Sequence, residues 1–269
     1  MTTIQAAVLG VVQGVTEFLP ISSTAHLRIV PALLGWSDPG AAFTAVLQLG
    51  TLAAVLAFFA RDLGAMARGS LAALAHPDRR GDFQARLAAY LIVGTLPVVV
   101  VGVLFKSAIR GGLRALPVIA TALIVVALAL AVVERLARHR RAFEELLLRD
   151  AVIIGCAQAL ALIPGVSRSG ITILAAMAIG LRRDAAARFS FLLSIPAVAG
   201  AGIFEMRHVL HSDVGAVPMA VGLLLAGVTG YASIAWLLRF LRTRTMYPFI
   251  GYRIVLGLVI FGLLAGGRL

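Results

Sequence analysis

The sequence predicts an all-α integral membrane protein built as an inverted repeat, each unit a re-entrant broken-helix hairpin followed by three transmembrane helices. Three observations predict it. Of the 269 residues 61% are hydrophobic and only 13% charged, where soluble domains carry about a quarter charged, so there is too little polar surface to cover a water-soluble globule. Six stretches, near 40–60, 87–105, 115–134, 186–205, 216–238 and 249–267, are apolar over close to the 20 residues that a bilayer core of roughly 30 Å requires. Two further apolar regions, 3–35 and 150–181, are interrupted at Pro20 to Ser23 and at Pro164 to Gly170. Short Pro/Gly-broken segments at matching places in two halves point to helices that stop inside the membrane and line a site.

The first segment, Ile4 to Leu19, lacks a basic region ahead of it and contains Gln13 and Glu17, so it reads as mature structure rather than a signal peptide. Its continuation aligns with the second broken region: GVVQGVTEFLPISS from Gly10 to Ser23 matches GCAQALALIPGVS from Gly155 to Ser167 with one gap. Further on, AAFTAVLQ from Ala41 to Gln48 matches ARFSFLLS from Ala187 to Ser194. The chain therefore reads as a single membrane domain over 1–269, with repeat 1 at about 1–135 and repeat 2 at about 149–269. An odd number of full crossings per unit inserts the second unit upside down.

Charge placement gives the orientation. If each hairpin returns to the side it entered, the loops at 61–86, 135–149, 182–188 and 239–248 share one side and hold sixteen of the 24 Lys and Arg. The other side holds Lys106, Arg110, Arg114, Arg207 and Arg268. Short cytoplasmic loops carry the basic excess, so the first group is cytoplasmic and the two hairpin tips, entering from opposite faces, can meet near the midplane. The net charge of +12 does not indicate nucleic acid, because the arginines are separated by apolar runs and form no polar basic face. The single cysteine, Cys156, excludes a disulfide framework and reads as core packing.

Three basic residues fall outside this count: Arg28, Arg168 and Arg253. An arginine in the membrane costs several kcal/mol unless it faces a cavity or a partner. Arg168, in the run Ser167 to Thr172 after Pro164 and Gly165, sits where a loop opens a helix, and there free N–H groups and the helix dipole favour phosphate. The hydroxyls of Ser167 and Ser169 add donors, and the simpler reading of Arg168 is an ion pair with Glu17 or Glu205. In the first hairpin Gln13 and Glu17 are four apart on one helical face, followed by Ser22, Ser23, Thr24 and His26. Carboxylate, amide and hydroxyl oxygens suit a hard cation such as Mg²⁺ or Ca²⁺. A serine near a histidine suits nucleophilic or acid–base work on phosphorus, whereas the simpler reading of Ser22 is a helix cap. Gln48 and Ser194 read as helix–helix hydrogen bonds, and Gly94 and Gly222 as close-packing positions.

The segment QGVTEFLPISSTAH, from Gln13 to His26, resembles the first signature of the bacterial undecaprenyl-diphosphate phosphatases of the bacitracin-resistance type, and PGVSRSG, from Pro164 to Gly170, resembles the second. FSFLLSIP from Phe189 to Pro196 and Tyr252 to Ile254 are similar to further segments of that family. The resemblance spans nearly the whole chain; it departs at Gln13, where many members carry Glu. It implies a divalent-cation-dependent enzyme of the bacterial cytoplasmic membrane that removes the terminal phosphate of a C55 polyprenyl diphosphate at a site open towards the periplasm. By the same resemblance Glu17, with Gln13, is assigned to metal, and Arg168 with Ser167, Ser169 and Thr172 to the diphosphate. Ser22 and Thr24 join the substrate-binding set, and Ser23 and His26 are assigned to catalysis. Ser23, His26 and a metal-activated water all stand as nucleophile. The implied partners are the lipid substrate and membrane lipid, with a homodimer as an open state. The rival from another class is an inverted-repeat transporter or translocase of a lipid phosphate, for which the same broken helices would serve.

Overall fold

The computed structural model describes residues 1–38, 40–105, 115–209 and 214–267, with the side chains at 41, 42, 45 and 203–209 left undescribed. Lys106, Arg110, Arg114, His211, Arg268 and the side chains of Glu205, Arg207 and His208 therefore lie outside the description. The helices are α1 (Thr3–Phe18), α2 (Ser23–Leu33), α3 (Gly40–Phe58), α4 (Ala60–Ala75), α5 (Phe83–Leu104), α6 (Leu116–Leu136), α7 (Leu148–Ala159), α8 (Arg168–Ala178), α9 (Arg183–Val209), α10 (Ala216–Leu241) and α11 (Tyr247–Ala265). Among the described residues no strand forms. Five of the helices are by themselves long and apolar enough to cross a bilayer, and α3 with α4 raises the number to as many as six. Each of the six apolar stretches predicted from sequence is a helix.

Both interrupted regions are broken helices. α2 and α8 have 11 residues each, about 16 Å at 1.5 Å per residue, so each crosses only half of a bilayer core. α1 packs on α10 and α7 on α5, while α3 packs on α9 and α6 on α11. Exchanging the halves of the chain leaves this pairing unchanged.

One loop expectation is corrected. The 61–86 region is not simply a loop, because most of it forms α4, turned by 70° from α3. Arg61, Asp62 and Arg68 break the apolar run, yet the Ala, Leu, Met and Arg content keeps the segment helical. Met66 and Ala73 are buried, and Leu71 and Leu74 are exposed. A second expectation, that Cys156 fills the core, is also corrected: its side chain is exposed on α7.

The four basic loops gather at one end. Arg188 pairs with Asp62 and lies 4.5 Å over the Phe143 ring, and Arg183 grips buried Glu134 at 2.5 Å. Arg141 binds Asp150 through both oxygens, at 3.2 and 2.5 Å, and that hydrogen-bonded carboxylate raises the arginine's pKa above its ordinary value. A cavity of about 800 Å³ opens there between Phe58, Asp62, Glu144, Arg182, Arg239 and Arg242. Arg28, on α2, is paired with Asp38.

Glycines set the closest helix approaches. A Cβ on Gly10 would lie 2.5 Å from the Gly222 carbonyl, and one on Gly155 would lie 2.4 Å from the Gly94 carbonyl. Gly10 and Gly155 are partners in the sequence repeat. Gly155→Ala is expected to force α5 and α7 apart and lower the melting temperature in detergent, at an overpacking cost of about 1–3 kcal/mol; an unshifted melting curve would mean that the contact can relax.

Candidate functional site

α2 and α8 begin alike. Ser22 has φ 74° and accepts the N–H of Ala25, and Ser167 has φ 72° and accepts the N–H of Gly170. A positive φ at a residue other than glycine costs of order 1–3 kcal/mol and persists only where surrounding contacts impose it. Those contacts are visible. Ser169 Oγ donates to the Leu19 carbonyl across the hairpins at 3.0 Å. Arg253, fully buried on α11, donates to Pro20 O at 3.1 Å, Gly165 O at 3.0 Å and Val166 O at 3.1 Å, and also to Ala122 and Leu123 on α6. Both tips are thus tied to one guanidinium, and the N-termini of two helices are aimed at one region.

At that junction lies a cavity of about 190 Å³, walled by Glu17, Ser22, Ser23, Thr24, Ser167 and Arg168, with Gln48, Gln158 and Gly165 also in its lining. The larger cavity at the charged end contains neither Glu17 nor Arg168, so size alone does not locate the chemistry. Glu17 organises the smaller one. Its Oε2 accepts from Gln13 Nε2 at 3.0 Å and Ser23 Oγ at 2.6 Å, and its Oε1 accepts from Arg168 Nη2 at 3.1 Å. The ion pair that was the simpler reading of Arg168 is therefore present. It joins the two hairpins at the cavity wall, where an incoming anion can compete for the guanidinium.

The other residues singled out from sequence divide. Thr172 and Ser169 are fully buried and do not line the cavity. Thr172 Oγ1 meets Ser190 Oγ at 2.6 Å and donates to the Arg168 carbonyl at 2.7 Å. His26, expected to face the same volume as Ser22 and Ser23, turns away: Nδ1 meets the Ser22 carbonyl at 2.7 Å, Nε2 meets Tyr252 Oη at 2.6 Å, and the two rings stack 5.6 Å apart. The helical turn that brings His26 back over Ser22 directs it to α11, so Ser23 finds Glu17 as its acceptor.

Sequence reasoning missed the parts played by Arg253, Tyr252 and Ser190. Arg253 carried a visible signal, as an arginine in an apolar span outside the loop count; Ser190 and Tyr252 fell within segments that resemble the family, with no role attached to either. Among the described residues no three His, Cys, Asp or Glu side chains come together as a metal cage. The donors that suit a hard cation are the Glu17 carboxylate, the Ser23 hydroxyl and Gln13 Oε1, which is buried without a hydrogen-bond partner among the described residues. A set with one carboxylate fits an ion that draws the rest of its shell from water and phosphate, as Mg²⁺ does.

Fold and site together define a multi-pass membrane protein whose cavity, between two broken helices, carries an ion pair and hydroxyl groups. The chain belongs to the bacitracin resistance protein BacA family, whose model matches residues 6–259. It is 52% identical to an undecaprenyl-diphosphatase of Myxococcus xanthus, aligned over 100% of this chain and 91% of that protein. It is 50% identical to one from a Nocardioides species, over 98% and 97% of the two chains, and 48% identical to one from Chloroherpeton thalassium, over 100% and 99%.

Proposed function

We propose that the chain is an undecaprenyl-diphosphatase. It hydrolyses undecaprenyl diphosphate to undecaprenyl phosphate and inorganic phosphate, returning the lipid carrier to cell-wall synthesis, and bacitracin resistance follows from that activity. The observation that carries the reading is the Ser23–Glu17–Arg168 constellation: a hydroxyl with its proton acceptor, beside an arginine, at the start of two converging helices.

The diphosphate enters with its charge against Arg168 and the N–H groups of α2 and α8, which stabilise negative charge on the transferring phosphoryl group. The prenyl tail leaves sideways between helices into lipid. As the phosphate takes Arg168, Glu17 is freed from its ion pair. Ser23 Oγ, losing its proton to Glu17, attacks the terminal phosphorus, and the bond to the bridging oxygen breaks with its electron pair leaving on undecaprenyl phosphate. Glu17 passes its proton to the departing undecaprenyl phosphate; water then forms the new P–O bond as the Ser23 Oγ–P bond breaks, one water proton staying on the released phosphate and the other returning to Ser23 Oγ. His26, held between the Ser22 carbonyl and Tyr252, fixes the start of α2. A divalent cation held by Glu17, Gln13 and Ser23 would supply further charge neutralisation on the phosphates.

The site belongs to the bacterial inner membrane and opens towards the periplasm. The cavity is lined by Val98 of α5 and Ala201 of α9, each beyond the middle of its helix counted from the basic loops, which supports this orientation with those loops cytoplasmic.

Purified protein in detergent is expected to release phosphate from C55 diphosphate when Mg²⁺ is added. Movement of lipid across vesicles without phosphate release would instead establish the translocase reading. Glu17→Gln is expected to lower turnover by about 10²-fold and to shift the Mg²⁺ activation curve to higher concentration, whereas an unchanged metal titration would remove Glu17 as a ligand.

A further inference from the structure

Gln158, on α7, is the counterpart in the second half of Gln13 in the first, and both are fully buried. Gln158 is among the residues that line the cavity between the hairpins. The amide nitrogen faces the Gly94 carbonyl of α5 at 3.5 Å, an approach made possible by the backbone contact of Gly155 with Gly94 one turn earlier. A carbonyl accepts only from the nitrogen end, so this long contact places the nitrogen on the α5 side. Gln158 Oε1 then has no hydrogen-bond partner among the described residues. An acceptor buried without a donor costs about 1–3 kcal/mol, and a residue that serves only to bridge α5 and α7 would not need an acceptor there.

What reaches the cavity in each turnover and carries a donor is the water consumed by hydrolysis. The diphosphate brings acceptors, and Arg168, the serines and the helix N-termini already answer those. Glu17, the carboxylate in the cavity wall, already accepts from Gln13, Ser23 and Arg168. We infer that Gln158 Oε1 orients the hydrolytic water, as a positioning residue that accepts a hydrogen bond and takes no proton. The inference rests on the phosphatase reading above and holds whether the water attacks phosphoserine or the lipid diphosphate directly. In either case the water oxygen forms the new P–O bond, and the bond to the leaving oxygen, Ser23 Oγ or the bridging oxygen, breaks with its electron pair. One water proton stays on the new phosphate hydroxyl, and the other restores the leaving group or protonates the phosphate.

The test compares Gln158→Leu, of similar size without an acceptor, with Gln158→Glu, which keeps an oxygen at that place, by phosphate release from C55 diphosphate in detergent. The wild-type protein serves as the control on the phosphatase reading, since its failure to release phosphate would sink that reading first. Gln158→Leu is expected to lower kcat by about tenfold to a hundredfold, the scale of a misplaced reactant, with KM and melting temperature unchanged. Gln158→Glu is expected to recover part of kcat with a raised KM, because it adds a negative charge beside the diphosphate. Wild-type kcat in Gln158→Leu would overturn the inference. So would a fall in kcat accompanied by a matching fall in melting temperature, which would reduce Gln158 to a bridge between α5 and α7.

Discussion

Arg168→Ala is expected to abolish phosphate release while leaving the protein folded. The guanidinium makes one ion pair, to Glu17, and one long hydrogen bond, 3.4 Å, to the Ser190 carbonyl. Without it Glu17 still accepts from Gln13 and Ser23, so the carboxylate is not left bare and the melting temperature in detergent should hardly move. Turnover is another matter. An arginine aimed at a transferring phosphoryl group is worth about 10³-fold or more, and among the described residues no second cationic side chain lines the cavity, because Arg253 spends its donors on backbone carbonyls. Phosphate release near the wild-type rate, with an unchanged melting curve, would remove Arg168 from the catalytic set.

Arg253→Met is expected to do the opposite kind of damage. Five carbonyls, from both hairpin tips and from α6, lose a charged donor inside the protein. Hydrogen bonds to charged groups contribute about 1.5–3 kcal/mol each. The net loss is smaller than their sum, because the arginine no longer has to be desolvated, yet it should exceed about 3 kcal/mol. Melting temperature and activity should fall together. Arg253→Lys should recover only part of both, since an ammonium has three donors on one point and cannot span carbonyls from three segments. A variant that melts normally but is inactive would shift Arg253 from scaffold to chemistry.

Much of this protein could be read from its sequence, for reasons specific to membranes. Hydrocarbon tolerates little besides apolar helices, so the six apolar stretches and the two interruptions at Pro20 and Pro164 appear as plain text. The cost of intramembrane polarity likewise singled out Glu17 and Arg168, and the structure brings both to one cavity. What was hidden depended on direction. Thr172 and Ser169 have the right chemistry beside Arg168, but their places on α8 turn them to Ser190 and to Leu19. His26 follows Ser22 by one turn, and only the position of α11 shows that it meets Tyr252 rather than Ser23. α4 escaped because three charged residues in an apolar run resemble a loop when amphipathic periodicity is not weighed against them.

The guanidinium of Arg253 also dictates an order of events. It lies on α11, which follows all the other described helices, and until that helix docks the carbonyls of Pro20, Gly165 and Val166 lack their shared charged donor, leaving the hairpins joined through Ser169 with Leu19 and Arg168 with Glu17. During synthesis the chain can insert its earlier helices, yet the cavity with its Ser23, Glu17 and Arg168 closes only after α11 docks. The geometry of the site therefore depends on a helix that contributes no group to the cavity lining.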